Sequence, residues 1–297
     1  MRKLIFSLFR KINSALSGTG LWRFPGIALL WGLIYRAFSP KGIVLITCQG
    51  NRMYVNTELG YGGIGPLLLI KGVYEEHETE LFRELIKPGM VVLDIGANIG
   101  YYTLIASKLV GDDGRVYAFE PDPKNYELLV KNIEINGYNN ITPIHKAVSN
   151  KSGRIKLFID KLSPSLSSFS KDNVLEKAGF LEVETTALDD FFGLTGGDTV
   201  NLIKMDTQGA EGLIIEGSER LLRNNNLKII MEFWPYGLRN VGTDPLGLLY
   251  KLQSYGFEIK PIDKTDRYTM DMGVKKIIEM CENRMNGKGY VNLLLEK

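Results

Sequence analysis

The first acidic residue of the chain is Glu58, yet eight cations precede it: Arg2, Lys3, Arg10, Lys11, Arg23, Arg36, Lys41 and Arg52. The 297 residues carry a net charge of only +2. That balance conceals a basic stretch of +8 over residues 1–57 and a remainder of −6. Cysteine is scarce, with only Cys48 and Cys281 far apart. This excludes a dense disulfide framework and a cysteine-rich zinc site, and it fits a reducing, cytoplasmic setting. With only His77 and His145, a histidine-based metal cluster is not expected. No run reaches the roughly 18–20 apolar residues that span a bilayer. The nearest, Phe24–Tyr35, contains Pro25 and is bracketed by Arg23 and Arg36. The apolar run Leu4–Phe9 is stopped too soon, at Arg10 and Lys11, for a secretory signal. No fixed-period repeat occurs. With 44% hydrophobic and 24% charged residues, the composition is that of a globular protein large enough to bury its own core.

Residues 2–16 read as an amphipathic helix. Leu4, Ile5, Leu8, Phe9, Ile12 and Leu16 share one face, with Arg2, Lys3 and Arg10 opposite. Ser17–Gly20 breaks it, and a second apolar segment runs to Ser39-Pro40. Residues 1–40 thus form a basic helical arm. Residues 41–71 hold a β-hairpin, Ile43–Thr47 and Arg52–Val55 around Gln49-Gly50-Asn51, then a loop at Tyr61–Pro66. From residue 72 to 297 helices and strands alternate. Glu75–Ile86, Tyr101–Val110, a segment ending at Asn136, Ala210–Arg223 and Pro245–Tyr255 read as helices. Val91–Ile95, Arg115–Glu120, Thr142–Lys146, Arg154–Ile159, Val200–Asp206, Lys228–Trp234, Phe257–Pro261 and Val291–Glu296 read as strands. This order predicts an α/β fold with a doubly wound, mostly parallel sheet. Ser163–Ser170, rich in serine, reads as a connecting loop or a lid.

A glycine-rich turn, Gly96-Ala97-Asn98-Ile99-Gly100, joins the strand Val91–Ile95 to a helix. Such turns let backbone approach a ligand and leave free helix N–H groups. The spacing is not the GxGxxG of dinucleotide sites, and Asp94 would repel a pyrophosphate. It suits a ligand with an ammonium and an adenosine but no phosphate, such as S-adenosylmethionine. Glu120, ending the next strand 26 residues later, can accept hydrogen bonds from both ribose hydroxyls.

These residues resemble the FkbM-type methyltransferases, a branch of the class I S-adenosylmethionine-dependent enzymes. The resemblance rests on Gly72–Glu75, Val91–Thr103, Gly114–Pro121, Lys146–Ser149, Ala187–Phe191, Ile203–Glu211 and Ile229–Phe233. The downstream Asp206-x-x-Gly209-x-Glu211 arrangement is its most family-specific part. The resemblance implies a Rossmann-like seven-stranded sheet and methyl transfer to a hydroxyl of a sugar, glycan, lipid-linked or other small-molecule acceptor. It also implies cofactor contacts from Glu75, Asp94, Gly96, Ala97, Asn98, Gly100, Thr103, Glu120, Pro121 and Ala147.

For catalysis, Asp206, Glu211 and Glu232 come from neighbouring strand ends, where open α/β sheets bind ligands. Two readings stand. One carboxylate, Asp206 first, is the general base for the acceptor hydroxyl. Alternatively Asp206 and Glu232 hold a divalent cation such as Mg²⁺ that acidifies it. Glu211 also reads as a carboxylate favoured at a helix start. His145 reads as a structural histidine before a base, and Asp189 and Asp190 as a helix cap before a functional pair. Trp234 and Tyr236 read as acceptor-pocket walls or as core.

Two other functions compete. A nicotinamide-linked oxidoreductase is opposed by the missing GxGxxG and by Asp94. A nucleic-acid methyltransferase is suggested by the basic stretch, but Met205–Gln208 lacks the Asn/Asp-Pro-Pro-aromatic run at which a flipped base stacks. No nucleic-acid partner is therefore expected. The basic arm reads either as a contact with an anionic membrane surface or as a helix packed on the domain.

Overall fold

The computed structural model describes residues 25–58, 63–161, 164–195, 199–223, 226–262 and 272–297, together with Phe6, Leu8 and Ile12. The amphipathic helix expected over residues 2–16 lies otherwise outside the described residues, as does Ser163. The chain divides into two compact units, Met1–Tyr74 and Glu75–Lys297. Among the described residues no helix is long and apolar enough to cross a membrane.

In the first unit, α1 (Pro25–Phe38) opens on a proline, whose missing N–H costs nothing at that position. Strands β1 (Ile43–Cys48) and β2 (Asn51–Asn56) pair antiparallel from Ile43↔Asn56 to Cys48↔Asn51. Gln49 and Gly50 between them both take positive φ, the conformation of the tight hairpin turn their sequence suggests. Of the loop expected at Tyr61–Pro66, Tyr61 and Gly62 lie outside the described residues, and Ile64 to Pro66 open a helix, α2 (Ile64–Lys71). Pro66 sits in its first turn, where a backbone N–H has no intrahelical partner to lose. Tyr35 and Phe6 from the first helical segments bury against Leu69 and Ile70 of α2, with Val44 and Ile46 of β1 packed alongside.

The second unit opens with α3 (Glu76–Leu85). It then alternates β3 (Val91–Ile95), α4 (Tyr101–Val110), β4 (Arg115–Phe119), α5 (Pro123–Asn136) and β5 (Ile141–Ile144). After a side sheet come α6 (Leu188–Thr195), β9 (Leu202–Met205), α7 (Glu211–Glu216), β10 (Lys228–Phe233), α8 (Pro235–Asn240) and α9 (Pro245–Ser254). The last elements are β11 (Glu258–Pro261), α10 (Val274–Glu282) and β12 (Val291–Glu296). The main sheet has seven strands in the order β11-β12-β10-β9-β3-β4-β5. Only β12 runs antiparallel to its neighbours. This is the mostly parallel, doubly wound architecture expected from the alternation. Its central strands are buried on both faces, so Leu93, Ile95, Phe119, Ile203, Met231 and Phe233 form a continuous apolar run through the core.

The side sheet departs from expectation. β6 (Ala147–Val148), β7 (Gly153–Asp160) and β8 (Lys177–Thr186) form a separate three-stranded sheet in the order β6-β8-β7. The expected strand Arg154–Ile159 therefore belongs outside the main sheet. β8 has no counterpart in the sequence reading, because most of it is exposed and its Lys, Gly and Glu residues show no apolar alternation. It exists through pairing with β7, from Gly153↔Thr185 to Asp160↔Lys177. The long helix expected over Ala210–Arg223 is shorter, ending at Gly217. An added Cβ there would meet the Ser149 backbone oxygen at 2.3 Å.

The order of strands places β4 on one side of β3 and β9 on the other. Successive connections therefore leave in opposite directions, opening a crevice at the carboxyl ends of β3 and β9. Gly96 occupies that point with φ +83°, and an added Cβ would lie 2.1 Å from the Asp206 backbone oxygen. The left-handed strain and the clash add, so Gly96→Ala is expected to cost about 3 kcal/mol. A urea-midpoint shift well below that would show that the two strand ends can part.

Candidate active site

The turn after β3 is fastened beneath the end of β4. Gly96 and Ala97 N–H both donate to the Phe119 carbonyl at 3.0 Å. Glu120 then locks two loops together: Asn98 N–H donates to its Oε2 at 2.7 Å, and Asp122 N–H to its Oε1 at 2.9 Å. Asp122 caps α5 by accepting from Lys124 and Asn125 N–H. Burial raises the Glu120 carboxyl to about 7, against the backbone donors that favour its ionised form.

A cleft of about 550 Å³, open to solvent, lies over these strand ends. Of the residues expected to bind or react, Gly96, Asn98, Glu120, Pro121, Ala147 and Asp206 line it. The sequence reading did not single out Asp122, Asn125, Lys146, Thr207 or Gln208, which line it too. Val148, Leu157 and Phe169 supply apolar wall. Ser165, Ser167 and Phe169 bring the serine-rich loop to the cleft. Ser168 ties that loop down: its hydroxyl donates to the Gln208 carbonyl at 2.7 Å, and its backbone pairs with Phe158. Ser167 Oγ is buried with no hydrogen-bond partner among the described residues, an open polar position on the wall.

Other expected contacts stand behind the cleft wall. Asp94 is buried and accepts from the Thr103 hydroxyl at 2.5 Å, fixing the first turn of α4 to β3. Burial raises Asp94 to about 6. Gly100, at φ +92°, starts α4, and an added Cβ would meet the Leu129 side chain at 2.7 Å. Its glycine thus serves packing of α4 on α5 rather than ligand approach. Ala97 is buried outside the lining.

The three acidic candidates do not act alike. Asp206 and Glu232 come together through Gln208, whose amide nitrogen donates to Asp206 Oδ1 at 2.9 Å and to Glu232 Oε1 at 3.2 Å. Glu211 turns away to hold its own loop. Its Oε1 accepts from Thr207 N–H at 3.0 Å and from the Thr207 hydroxyl at 2.9 Å. Glu211 is fully buried, which raises its carboxyl above the ordinary value.

The centre of this region is a residue that sequence reading passed over. Lys204, on β9 beside Asp94 in register, is buried, and its ammonium has no hydrogen-bond partner among the described residues. It lies 3.9 Å from Glu75 Oε2 and 4.9 Å from the Tyr102 ring centre. Burial alone would lower its pKa, but the charges of Glu75, Asp206, Glu232 and Asp94 outweigh this and raise it. Glu75 also accepts from the Tyr102 hydroxyl at 3.0 Å. Burial raises Glu232 well above the usual carboxylate range, reinforced by Asp206 and Glu211. A lysine in a parallel strand is legible as functional only once Asp94, Asp206 and Glu232 are seen to surround it. Among the described residues no group of three or more His, Cys, Asp and Glu side chains is arranged to hold a metal ion.

The remaining candidates have structural employment. His145 stacks on Tyr126 with ring centres 4.6 Å apart. Asp189 accepts from Arg220 and Leu221 N–H, and Asp190 from the Ser152 hydroxyl. Trp234 donates its ring N–H to the Lys288 carbonyl and lies 5.7 Å from Tyr236. Cys48 and Cys281 are free and buried, and burial pushes both thiols up to about 11, which leaves no thiolate at neutral pH.

Strand order, the glycine turn and a carboxylate ending the second strand define a Rossmann-like domain with an open cleft at its switch point. A Methyltransferase FkbM domain model matches residues 94–259, more than half of the chain, and the chain belongs to that family. A hexuronic acid methyltransferase of Haloferax volcanii is 24% identical over 156 residues, 52% of this chain and 61% of the relative. A 2-O-methyltransferase of Sinorhizobium fredii is 30% identical, covering 46% of this chain and 61% of the relative. A protein-L-isoaspartate O-methyltransferase of Methanococcoides burtonii is 35% identical over 108 residues, 36% of this chain and 50% of the relative. The matches thus span about half to three-fifths of the length of these curated relatives. A solved FkbM methyltransferase from Methylobacillus flagellatus aligns at 17% identity with a TM-score of 0.43, covering 73% of this chain and 50% of that one.

Two predictions follow from the buried charges. Lys204→Met leaves its carboxylates uncompensated and is expected to cost about 3–5 kcal/mol in urea unfolding at neutral pH. The deficit narrows as the pH falls and Glu75, Asp94 and Glu232, whose pKa values burial raises, take up protons. An unchanged midpoint would remove Lys204 as the balancing charge. The folded-state pKa of Glu120 is raised from 4.5 to about 7, so between these values the folded protein keeps a proton that the unfolded chain releases. Its contribution is fully present below pH 4.5 and lost as the pH rises through about 7. Wild type should therefore lose about 3 kcal/mol relative to Glu120→Gln across that window. Parallel stability curves for the two proteins would contradict the raised pKa.

Proposed function

We propose that this chain transfers a methyl group from S-adenosylmethionine to a hydroxyl of a sugar, glycan or other small polyhydroxylated acceptor. The observation that carries the reading is that Glu120 and Asp206, a ribose-reading carboxylate and a candidate base, line one cleft. The cofactor, when bound, supplies an electrophilic methyl group on a sulfonium.

The residues fit such a ligand. Each Glu120 oxygen already takes one backbone N–H and retains a lone pair for a ribose hydroxyl. Val148, Leu157 and Phe169 offer apolar surface to a purine, and the unpartnered Ser167 hydroxyl offers a polar contact. Gln208 aims the Asp206 carboxylate and ties it to Glu232. Asp206 takes the proton of the acceptor hydroxyl as the oxygen attacks. Lys204 holds positive charge beneath the carboxylates, the place where the sequence suggested a divalent cation. Asp206 and Glu232 alone would give a metal few oxygen ligands, with the Gln208 nitrogen between them. The names of the Haloferax and Sinorhizobium relatives support a sugar-type acceptor.

Asp206→Ala is expected to abolish turnover while S-adenosylhomocysteine affinity stays within about tenfold, or 1.4 kcal/mol. Glu120→Ala should weaken that affinity by more than tenfold, measured calorimetrically. Full activity of the first variant would overturn the base, and unchanged affinity of the second would overturn the ribose contact. Mass spectrometry of a glycan and metabolite extract incubated with isotope-labelled S-adenosylmethionine identifies the acceptor. Activity that survives a chelator supports Lys204 in place of a metal, whereas loss restored by Mg²⁺ reverses that assignment.

A further inference from the structure

The outward face of α1 is the wrong kind of surface for a helix in water. Gly26, Leu29, Leu30 and Leu33 fall at helical spacing on one side, and Leu29, Leu30 and Leu33 are 68%, 53% and 55% exposed. The adjoining side is apolar as well: Tyr35 is buried, and Ile34 and Phe38 pack with it against Leu69 and Ile70. The helix thus has an apolar face for the core of its unit and a second one for something else. Leu8, Ile12, Ile43 and Leu45 of the same unit are exposed too. Isolated exposed leucines are ordinary, but three on one stripe of one helix are not.

Charge selects among the occupants. The first 57 residues hold eight Lys and Arg and no Asp or Glu. A second copy would bring the same surplus of cations, with no acidic residue in this stretch to offset it. An anionic lipid surface offers both an apolar layer for the leucines and negative headgroups for the cations. The helix has 14 residues, about 21 Å at 1.5 Å per residue, short of the roughly 30 Å of hydrocarbon that a spanning helix crosses. It is suited to lying in the interface.

We infer that the unit Met1–Tyr74 is a peripheral membrane-binding module. In it α1 inserts Leu29, Leu30 and Leu33 among the lipids of an anionic bilayer, and the basic residues of the same unit bind the headgroups. This inference is independent of the cleft and its chemistry.

The test uses the full chain in flotation with vesicles of phosphatidylcholine alone or mixed with phosphatidylglycerol. Wild type should partition at least tenfold more strongly onto the anionic vesicles, and high salt should weaken the binding. The triple variant Leu29→Glu, Leu30→Glu, Leu33→Glu should lose it while retaining S-adenosylhomocysteine affinity. These positions are exposed, so the changes leave no buried charge. As an independent readout, a Leu30→Cys chain labelled with a polarity-sensitive fluorophore should shift to the blue on anionic vesicles alone, Cys48 and Cys281 being buried. Equal binding by wild type and triple variant, or no binding to anionic vesicles, overturns the inference. So does a wild-type dimer that the triple variant dissolves without any vesicle binding, which would assign the face to self-association.

Discussion

One buried ammonium governs the carboxyl end of the main sheet. Asp94, Asp206, Glu232 and Glu75 come from three adjacent parallel strands and the start of α3, and without Lys204 they would place several like charges in a water-poor space. Burying ions is costly and a paired set roughly breaks even, so this cluster is no source of net stability. What it does supply is position. The lysine sits directly across from Asp94 of β3 and two residues before Asp206, which follows the end of β9, so the backbone that carries the charges also fixes their spacing. Gln208 then joins Asp206 to Glu232, and Glu211 closes the loop between them.

Under the proposed function, the same arrangement separates supporting groups from the candidate base. Glu211 Oε1 and Asp94 accept from Thr207 and Thr103 and so tie down their loops, while Glu211 Oε2 is buried with no hydrogen-bond partner among the described residues. Asp206 reaches the cleft through a loop thus held. Preorganisation of this kind is worth more to a transfer reaction than an additional carboxylate would be, because the acceptor oxygen and the reacting carbon must already be aligned.

Legibility of the structure in the sequence tracks burial. Val91–Ile95 and Tyr101–Val110 match the observed β3 and α4 end to end, since a strand buried on both faces shows as a short, mostly apolar run bounded by turn residues, here interrupted only by Asp94. The cleft residues Gly96, Asn98, Glu120 and Asp206 were legible because turn chemistry and strand ends locate them. β8 was not, because its pairing with β7 creates it and its side chains face mostly solvent. Helix α2 was obscured by Gly63, Gly65 and Pro66, which mark a loop unless the proline falls within a first turn. Lys204 was obscured for another reason: its role depends on partners that are distant in sequence, Glu75 and Glu232 above all.

Glu120 shows how binding and architecture share one group. Its two oxygens hold the Asn98 and Asp122 N–H groups, and so join the turn after β3 to the cap of α5. A ligand that donates to the same carboxylate finds the loops already in place and pays less ordering entropy on binding. The carboxylate in turn is easier to ionise with each donor that reaches it, so ribose hydroxyls and the ionised form of Glu120 favour one another. Under the proposed function, binding and deprotonation are therefore linked: a ribose donating to Glu120 would also offset the burial that raises its pKa. Under the proposed function, replacing Glu120 would remove the contact, the linkage and the clasp together.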